Sequence, residues 1–545
     1  MADSGGPVEQ PVTGGDVPDE FKDPDTPPDV IVRLQARAPE TDPLLGVPLD
    51  RGDAPPGRHR LVVLGDSLTH GYQSNAIFNT DLSWPSMIAA ELGWSGSFLH
   101  PQYRMYGGLP LNLEYLVREL EVRYGPTIDW WELGSAAFFV HNLLDQVRLY
   151  WEQGPGSQVP EAPGIMHNLA VSGYDIRDLM ARTAETERAR MKPPQGTGVH
   201  LLAENAGQLM SLYVLSSARD EGTGNALTPM EAAAALGNDG GIETMIIFIG
   251  ANNALGALID LKVRWSGPGY DTLDGKSAFN VWRPTDFISE LDALAVQAKA
   301  VNAQHVIWAT VPHVTIAPIA RGISTKVRPG SRYFPYYTRP WIEDTAFDAT
   351  VDPFITANQA RAIDSAIDQY NDAITETVRA ARQEGRDWLL MDTCGLMDRV
   401  AARRYILDVS ARPPWWTPYK LPAVVAALNP PPDSRFFAAG PDGRTAGGIF
   451  TLDGVHPTTT AYAILAQEFI NVMTGAGVVF YSQNGEPRVP PIQIDFERVL
   501  ARDTLINDPP KSVTADLKAI GWADEVFGWI QNMRRTFLSA NPPPS

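Results

Sequence analysis

The sequence predicts an α/β fold with a parallel sheet wound on both faces by helices. Three observations predict it. Short, continuous apolar runs recur, each ending in Gly, Pro or Asp. Helical patterns lie between them. The polar residues with chemical potential cluster just past the ends of those runs. A strand buried on both faces reads as an unbroken apolar run rather than an alternating one, and alternating strand and helix patterns favour parallel sheets.

The first run is Leu61-Val62-Val63-Leu64, ended by Gly65-Asp66-Ser67. The second is Met245-Ile246-Ile247-Phe248-Ile249, ended by Gly250. The third is Val306-Ile307-Trp308-Ala309, running into Thr310-Val311-Pro312, and a weaker fourth is Trp388–Met391, ended by Asp392. Asp286–Val301 carries apolar residues at helical spacing, Gln359–Ala381 reads as a long helix, and a third helical run begins at Thr460. Ligands of such sheets bind beyond the carboxyl ends of the strands.

The chain has 545 residues, enough for several average domains, although α/β enzymes often reach this length by decorating one core. Residues 1–56 are rich in Pro, Gly and Asp and read as a disordered or loosely attached tail. The main domain spans 57–485, with long insertions at about 94–165, 184–240, 318–355 and 408–447, and 486–545 reads as a small helical extension. Aromatic clusters fall in these insertions: Trp130-Trp131, Tyr333-Phe334-Pro335-Tyr336-Tyr337 and Trp415-Trp416. Most are expected to pack the insertions onto the core, leaving some to face substrate under a lid.

Lys and Arg number 44 against 64 Asp and Glu, a formal charge of −20. That balance repels phosphate backbones, so nucleic acid is not an expected partner. The single cysteine, Cys394, rules out an intrachain disulfide and is expected to be a small buried apolar residue. The acidic start lacks the basic and apolar stretches of a signal peptide, and no clean 18-residue apolar span occurs. A cytoplasmic or unassigned location follows as the expectation.

Chemistry enters with Gly65-Asp66-Ser67-Leu68. A serine at a strand-to-helix turn sits where backbone N–H groups point outward, and an oxyanion on an attacked carbonyl would meet them. Alone, such a serine is often only a helix cap. A serine nucleophile needs a base, and the base an orienting carboxylate. Asp453-Gly454-Val455-His456 supplies that pair on a loop before a helix. Gly173 can offer an unobstructed N–H, and Gly250-Ala251-Asn252-Asn253 a neutral amide donor. Asp66, His70 and His313 are further candidates to line the substrate cleft. Gly275-Lys276-Ser277 superficially resembles a phosphate loop but has the wrong spacing and no preceding strand. No Gly-x-Ser-x-Gly elbow surrounds Ser67, because position 69 is Thr. No His, Cys and Asp cluster has metal-ligand spacing, and no cofactor is expected.

The four blocks, in this order, resemble the SGNH, or GDSL-type, hydrolase family. The resemblance covers residues 61–470 but not the insertions or tails. It implies a flavodoxin-like three-layer α/β/α sheet and an enzyme that acts on esters. It implies Ser67 as nucleophile, His456 as base and Asp453 as its partner. The Ser67 N–H, the Gly173 N–H and the Asn252 side chain would form the oxyanion hole. In the family the third block usually ends in Asp where this chain has Asn253, so altered local bonding is expected there. The expected substrate is a small-molecule or lipid-like ester, as for a carboxylesterase or lipase. A carbohydrate O-acetyl esterase and an acyltransferase remain open, as does a non-catalytic binding module on the same sheet.

Overall fold

The computed structural model describes residues 17–50, 55–128, 131–193, 203–482 and 484–512. Trp130, the ends of the predicted N-terminal tail and C-terminal extension (1–16 and 513–545), and part of the second insertion (194–202) lie outside the described residues.

The centre is a four-stranded parallel sheet: β1 (His59–Gly65), β2 (Ile242–Phe248), β3 (Ala303–Ala309) and β4 (Trp388–Met391), in that spatial order. All four predicted runs are therefore strands. All seven positions of β2 are buried, and its apolar run begins at Met245, after the buried polar pair Glu243 and Thr244. On the free side of β1, residues 167–171 run alongside. Val63 pairs with Asn168 in a parallel bridge, and Leu169 N–H donates to Val63 O at 2.9 Å.

Helices flank the sheet, consistent with three α/β/α layers. Trp84–Glu91 packs with Thr459–Gly475 through Trp84 and Phe469, whose rings stack at 4.5 Å. Pro284–Ala300 packs with Ala357–Gln383 through Phe287 and Tyr370, stacked at 4.1 Å. The long helix starts at a capping box, in which Thr356 and Gln359 satisfy each other's backbone N–H groups.

The described part of the N-terminal segment is not loose. Residues 17–50 hold almost no regular structure, yet they lie as a strap on the long helix and the β4 edge. Arg33 N–H donates to Ser365 Oγ at 2.9 Å, and Leu390 N–H donates to Pro43 O at 3.0 Å. Arg37 Nη1 reaches both oxygens of Asp392 at 3.0 and 2.9 Å. The strap thus pairs a sheet edge that would otherwise be open.

The insertions are folded. Residues 94–165 carry helices Leu113–Tyr124 and Leu133–Glu152, and 318–355 forms most of a small antiparallel sheet. Tyr333, Phe334 and Tyr337 are buried, Trp415 and Trp416 pack on Tyr405, and Trp131 is exposed. Of the C-terminal extension, Phe496–Arg502 and Thr504–Asn507 are helical. No helix among the described residues is long and apolar enough to cross a membrane.

Candidate active site

Ser67 lies two residues past the end of β1, after Asp66, and opens a four-residue helix, Ser67–His70. Asp66 caps that helix, accepting from Leu68 N–H at 3.0 Å. The helix stops at Gly71, so the chain turns back through residues 72–75 toward the other end of the sequence.

There it meets residues 451–459. Asn75 N–H donates to Asp453 Oδ2 at 2.8 Å and Ser74 N–H to Thr451 Oγ1 at 2.9 Å. Tyr462 Oη donates to Tyr72 O at 2.7 Å. These bonds join the serine turn to the loop that carries Asp453 and His456.

The result is a connected triad. His456 Nε2 lies 2.8 Å from Ser67 Oγ, and His456 Nδ1 lies 2.9 Å from Asp453 Oδ2. Asp453 Oδ1 also accepts from the N–H groups of Val455 and His456, both at 2.8 Å. Burial opposes its ionisation, but the His456 charge and these donors outweigh burial and hold the carboxyl below its usual range. An ionised Asp453 accepts only, so Nδ1 carries the proton and Nε2 faces Ser67 as an acceptor. All three side chains are buried.

Gly454 makes the loop possible. Its φ of +68° is left-handed, and a Cβ there would come within 2.9 Å of Ile319 N and Phe436 Cε2.

Two of the predicted oxyanion groups, Gly173 and Asn252, meet at one loop, where Asn252 bonds Tyr174. Gly173 has φ +82°, and among the described residues neither its N–H nor that of Ser67 has a protein acceptor. Asn252 Nδ2 donates to Tyr174 O at 2.8 Å, which leaves its second N–H for another acceptor. Asn253 Oδ1 accepts from Ile176 N–H at 3.2 Å, while its buried Nδ2 has no partner among the described residues. The Asn-Asn pair therefore holds the 173–176 loop, and the local bonding at position 253 leaves the amide N–H groups of Asn253 unused among the described residues. Lys276 anchors the same loop through Asp175 and Asp178, at 2.6 and 2.5 Å. The segment set aside as a false phosphate loop is thus a buried ionic post.

The three residues proposed to line the cleft are placed differently. His70 is fully buried: Nδ1 accepts from Ser172 N–H at 3.1 Å, and Nε2 meets Tyr103 Oη at 3.1 Å. Burial, aided by His100, pushes its pKa down to about 3, so it is neutral. It holds the residue before Gly173 instead of facing a ligand. His313 is clamped between Asp368 and Asp398, each at 3.1 Å, and its side chain is 0% exposed. Burial works against its charge, but Cys394 and the carboxylates of Asp398 and Asp364 outweigh burial and raise its pKa. Both ring nitrogens are taken, so it cannot line a cleft. Asp66 is 1% exposed, with one oxygen in the helix cap and the other without a partner among the described residues.

Cys394 is buried as expected, its Sγ 3.6 Å from His313 Nδ1. His313, Cys394 and Asp398 place three ligand-type atoms within 4.8 Å of one another. Arg404 lies 3.6 Å from Asp398 and already balances its charge, so the trio reads as a structural ion cluster.

Sequence reasoning missed Asn75 and Tyr72, which brace the triad. The available signal was the Tyr72–Asn75 turn directly after the serine block, where Asn readily takes its left-handed φ of +64°. No protein-family model matches the chain, and no curated protein matches it either.

Proposed function

We propose that this chain is a serine esterase of the SGNH type, cleaving carboxylic esters through an acyl-enzyme. The observation that carries the reading is the continuous relay from Asp453 through His456 to Ser67, at 2.9 and 2.8 Å. The sheet order supports the flavodoxin-like reading. With residues 167–171 counted as a strand, the chain order across the sheet is 2-1-3-4-5.

In this mechanism His456 Nε2 takes the Ser67 hydroxyl proton as Oγ attacks the ester carbonyl. The carbonyl oxygen becomes an oxyanion, held by the N–H groups of Ser67 and Gly173 and the free amide N–H of Asn252. The carbonyl re-forms, the ester C–O bond breaks, and the alcohol leaves with the proton from His456. Water then repeats the sequence on the acyl-enzyme and releases the acid. Asp453 keeps the imidazole in the required tautomer throughout.

Ser67→Ala is expected to lower p-nitrophenyl acetate turnover by at least about 10³-fold in a folded protein. A fluorophosphonate probe is expected to label Ser67, read by peptide mass mapping. A label on another serine, or no label, would overturn the assignment and favour a binding module. A p-nitrophenyl series from acetate to palmitate then distinguishes carboxylesterase from lipase-like use.

A further inference from the structure

A second feature lies against the back of the triad loop. A cavity of about 280 Å³ is walled by residues from 315–322, 332–340, 401–404 and 434–446, and five arginines line it: Arg321, Arg332, Arg403, Arg404 and Arg435. The chain as a whole carries −20, so basic composition does not account for this concentration.

Three of the five are neutralised. Arg321 pairs with Asp344, Arg404 with Asp364 at 2.8 Å, and Arg435 with Asp433 at 2.7 Å. Among the described residues, Arg332 and Arg403 have no carboxylate within ion-pair distance. Arg332 is 6% exposed; its Nη2 donates to Gln35 O at 3.2 Å and its Nη1 has no acceptor. Arg403 is partly buried, donates to Gly322 O at 2.8 Å and lies over the Phe334 ring at 4.5 Å. Burial and the neighbouring Arg321 push its pKa below the usual guanidinium value. An unpaired, buried guanidinium is costly, and its fork of donors matches a phosphate or carboxylate bidentately.

The cavity shares a wall with the triad loop. Pro318 and Ala320, both lining residues, flank Ile319, whose N–H donates to Gly454 O at 3.0 Å. Phe436, also a lining residue, is the ring that presses on Gly454.

We propose that this cavity is an anion-binding subsite that takes the phosphate or carboxylate group of a small molecule between Arg332 and Arg403. The anion supplies the counter-charge that the fold withholds from these two side chains. The subsite stands on its own geometry and does not require ester hydrolysis.

The test is isothermal titration of the full chain with inorganic phosphate and, in parallel, succinate, at constant ionic strength. Saturable one-to-one binding of at least one anion is expected, and the tighter of the two identifies the group recognised. Arg403→Gln is expected to weaken it at least about tenfold, and Arg403→Lys, which keeps the charge but not the fork, to weaken it less. Arg104→Gln, at an exposed remote site, is expected to change nothing. Unchanged circular dichroism of the variants shows that they fold. No saturable binding of either anion, full affinity in Arg403→Gln, or an equal loss in Arg104→Gln would overturn the proposal.

Discussion

Replacing Asp66 by Asn should make the protein progressively more stable than its parent as pH rises from about 4 to about 8. Asp66 is buried next to Ser67, with one oxygen accepting from Leu68 N–H and the other without a partner among the described residues. Burial raises its pKa from 3.8 to about 7, against the opposing pull of the Leu68 hydrogen bond and the His456 charge. In the unfolded chain the carboxyl loses its proton near 3.8. Between those values the folded state binds a proton that the unfolded state does not, so stability falls as pH rises through that window. At 1.36 kcal/mol per pKa unit the accumulated penalty is about 4 kcal/mol above pH 7, and close to zero at pH 4. An asparagine keeps the acceptor for Leu68 but cannot ionise. Its amide N–H groups add a cost of about 1–3 kcal/mol if they find no acceptor, and that cost is the same at every pH. The discriminating quantity is therefore the slope with pH and not the offset. Urea midpoints of parent and Asp66→Asn, measured at half-unit steps from pH 4.5 to 8, should diverge by an amount that grows toward pH 7 and then levels. Two parallel curves would refute the reasoning, because they would mean that Asp66 is ionised in the folded protein throughout.

Two further perturbations test the supports of the site and the fold. His70→Ala removes the acceptor for Ser172 N–H, and it is expected to lower kcat for p-nitrophenyl acetate about 10- to 100-fold with little change in KM, below the roughly 2.7–4 kcal/mol that loss of a whole oxyanion donor costs. A loss confined to KM would speak against a role in setting the Gly173 loop. Asp392→Ala strips Arg37, Glu40 N–H and Thr310 Oγ1 of their shared acceptor, and a destabilisation of about 3–5 kcal/mol is expected in chemical denaturation, with faster proteolysis within 17–50. Unaltered cleavage of that segment would show that Arg37 does not secure it.

The strands and the triad were legible in the sequence for the same physical reason. A strand buried on both faces carries a run of apolar residues, so Leu61–Leu64 and Met245–Ile249 announce themselves, and the residues that end them fall at the site. The roles of His70 and His313 were not legible. Each looks like a cleft histidine because it sits just past a strand or beside the serine. What decides its role is its partners: Ser172 is 102 residues from His70, and Asp398 and Asp368 are 85 and 55 residues from His313. The strap at 17–50 failed for a related reason. Its composition is that of an unfolded tail, and composition has no access to a single buried pair such as Arg37 and Asp392, 355 residues apart.

Ser67 and His456 are separated by 389 residues, yet the contact between them is braced by the turn next to the serine. Residues 72–75, the turn that directly follows the serine helix, grip the base loop through Asn75 and Ser74, and Tyr72 lays its ring 4.6 Å from that of His456. Tyr72 Oη in turn donates to Asn75 Oδ1 at 3.1 Å, tying the turn to itself. Ser67 and His456 are thus fixed to one unit, and the N–H groups of Ser67 and Gly173, without a protein acceptor among the described residues, are the donors that the proposed reaction would use. Preorganisation of this kind matters because a hydroxyl displaced by about 1 Å can cost about 10²-fold in rate. Two insertions also reach this unit: Ile319 N–H donates to Gly454 O at 3.0 Å and Phe436 packs against Gly454, so the arginine-lined cavity shares a wall with the loop that carries His456.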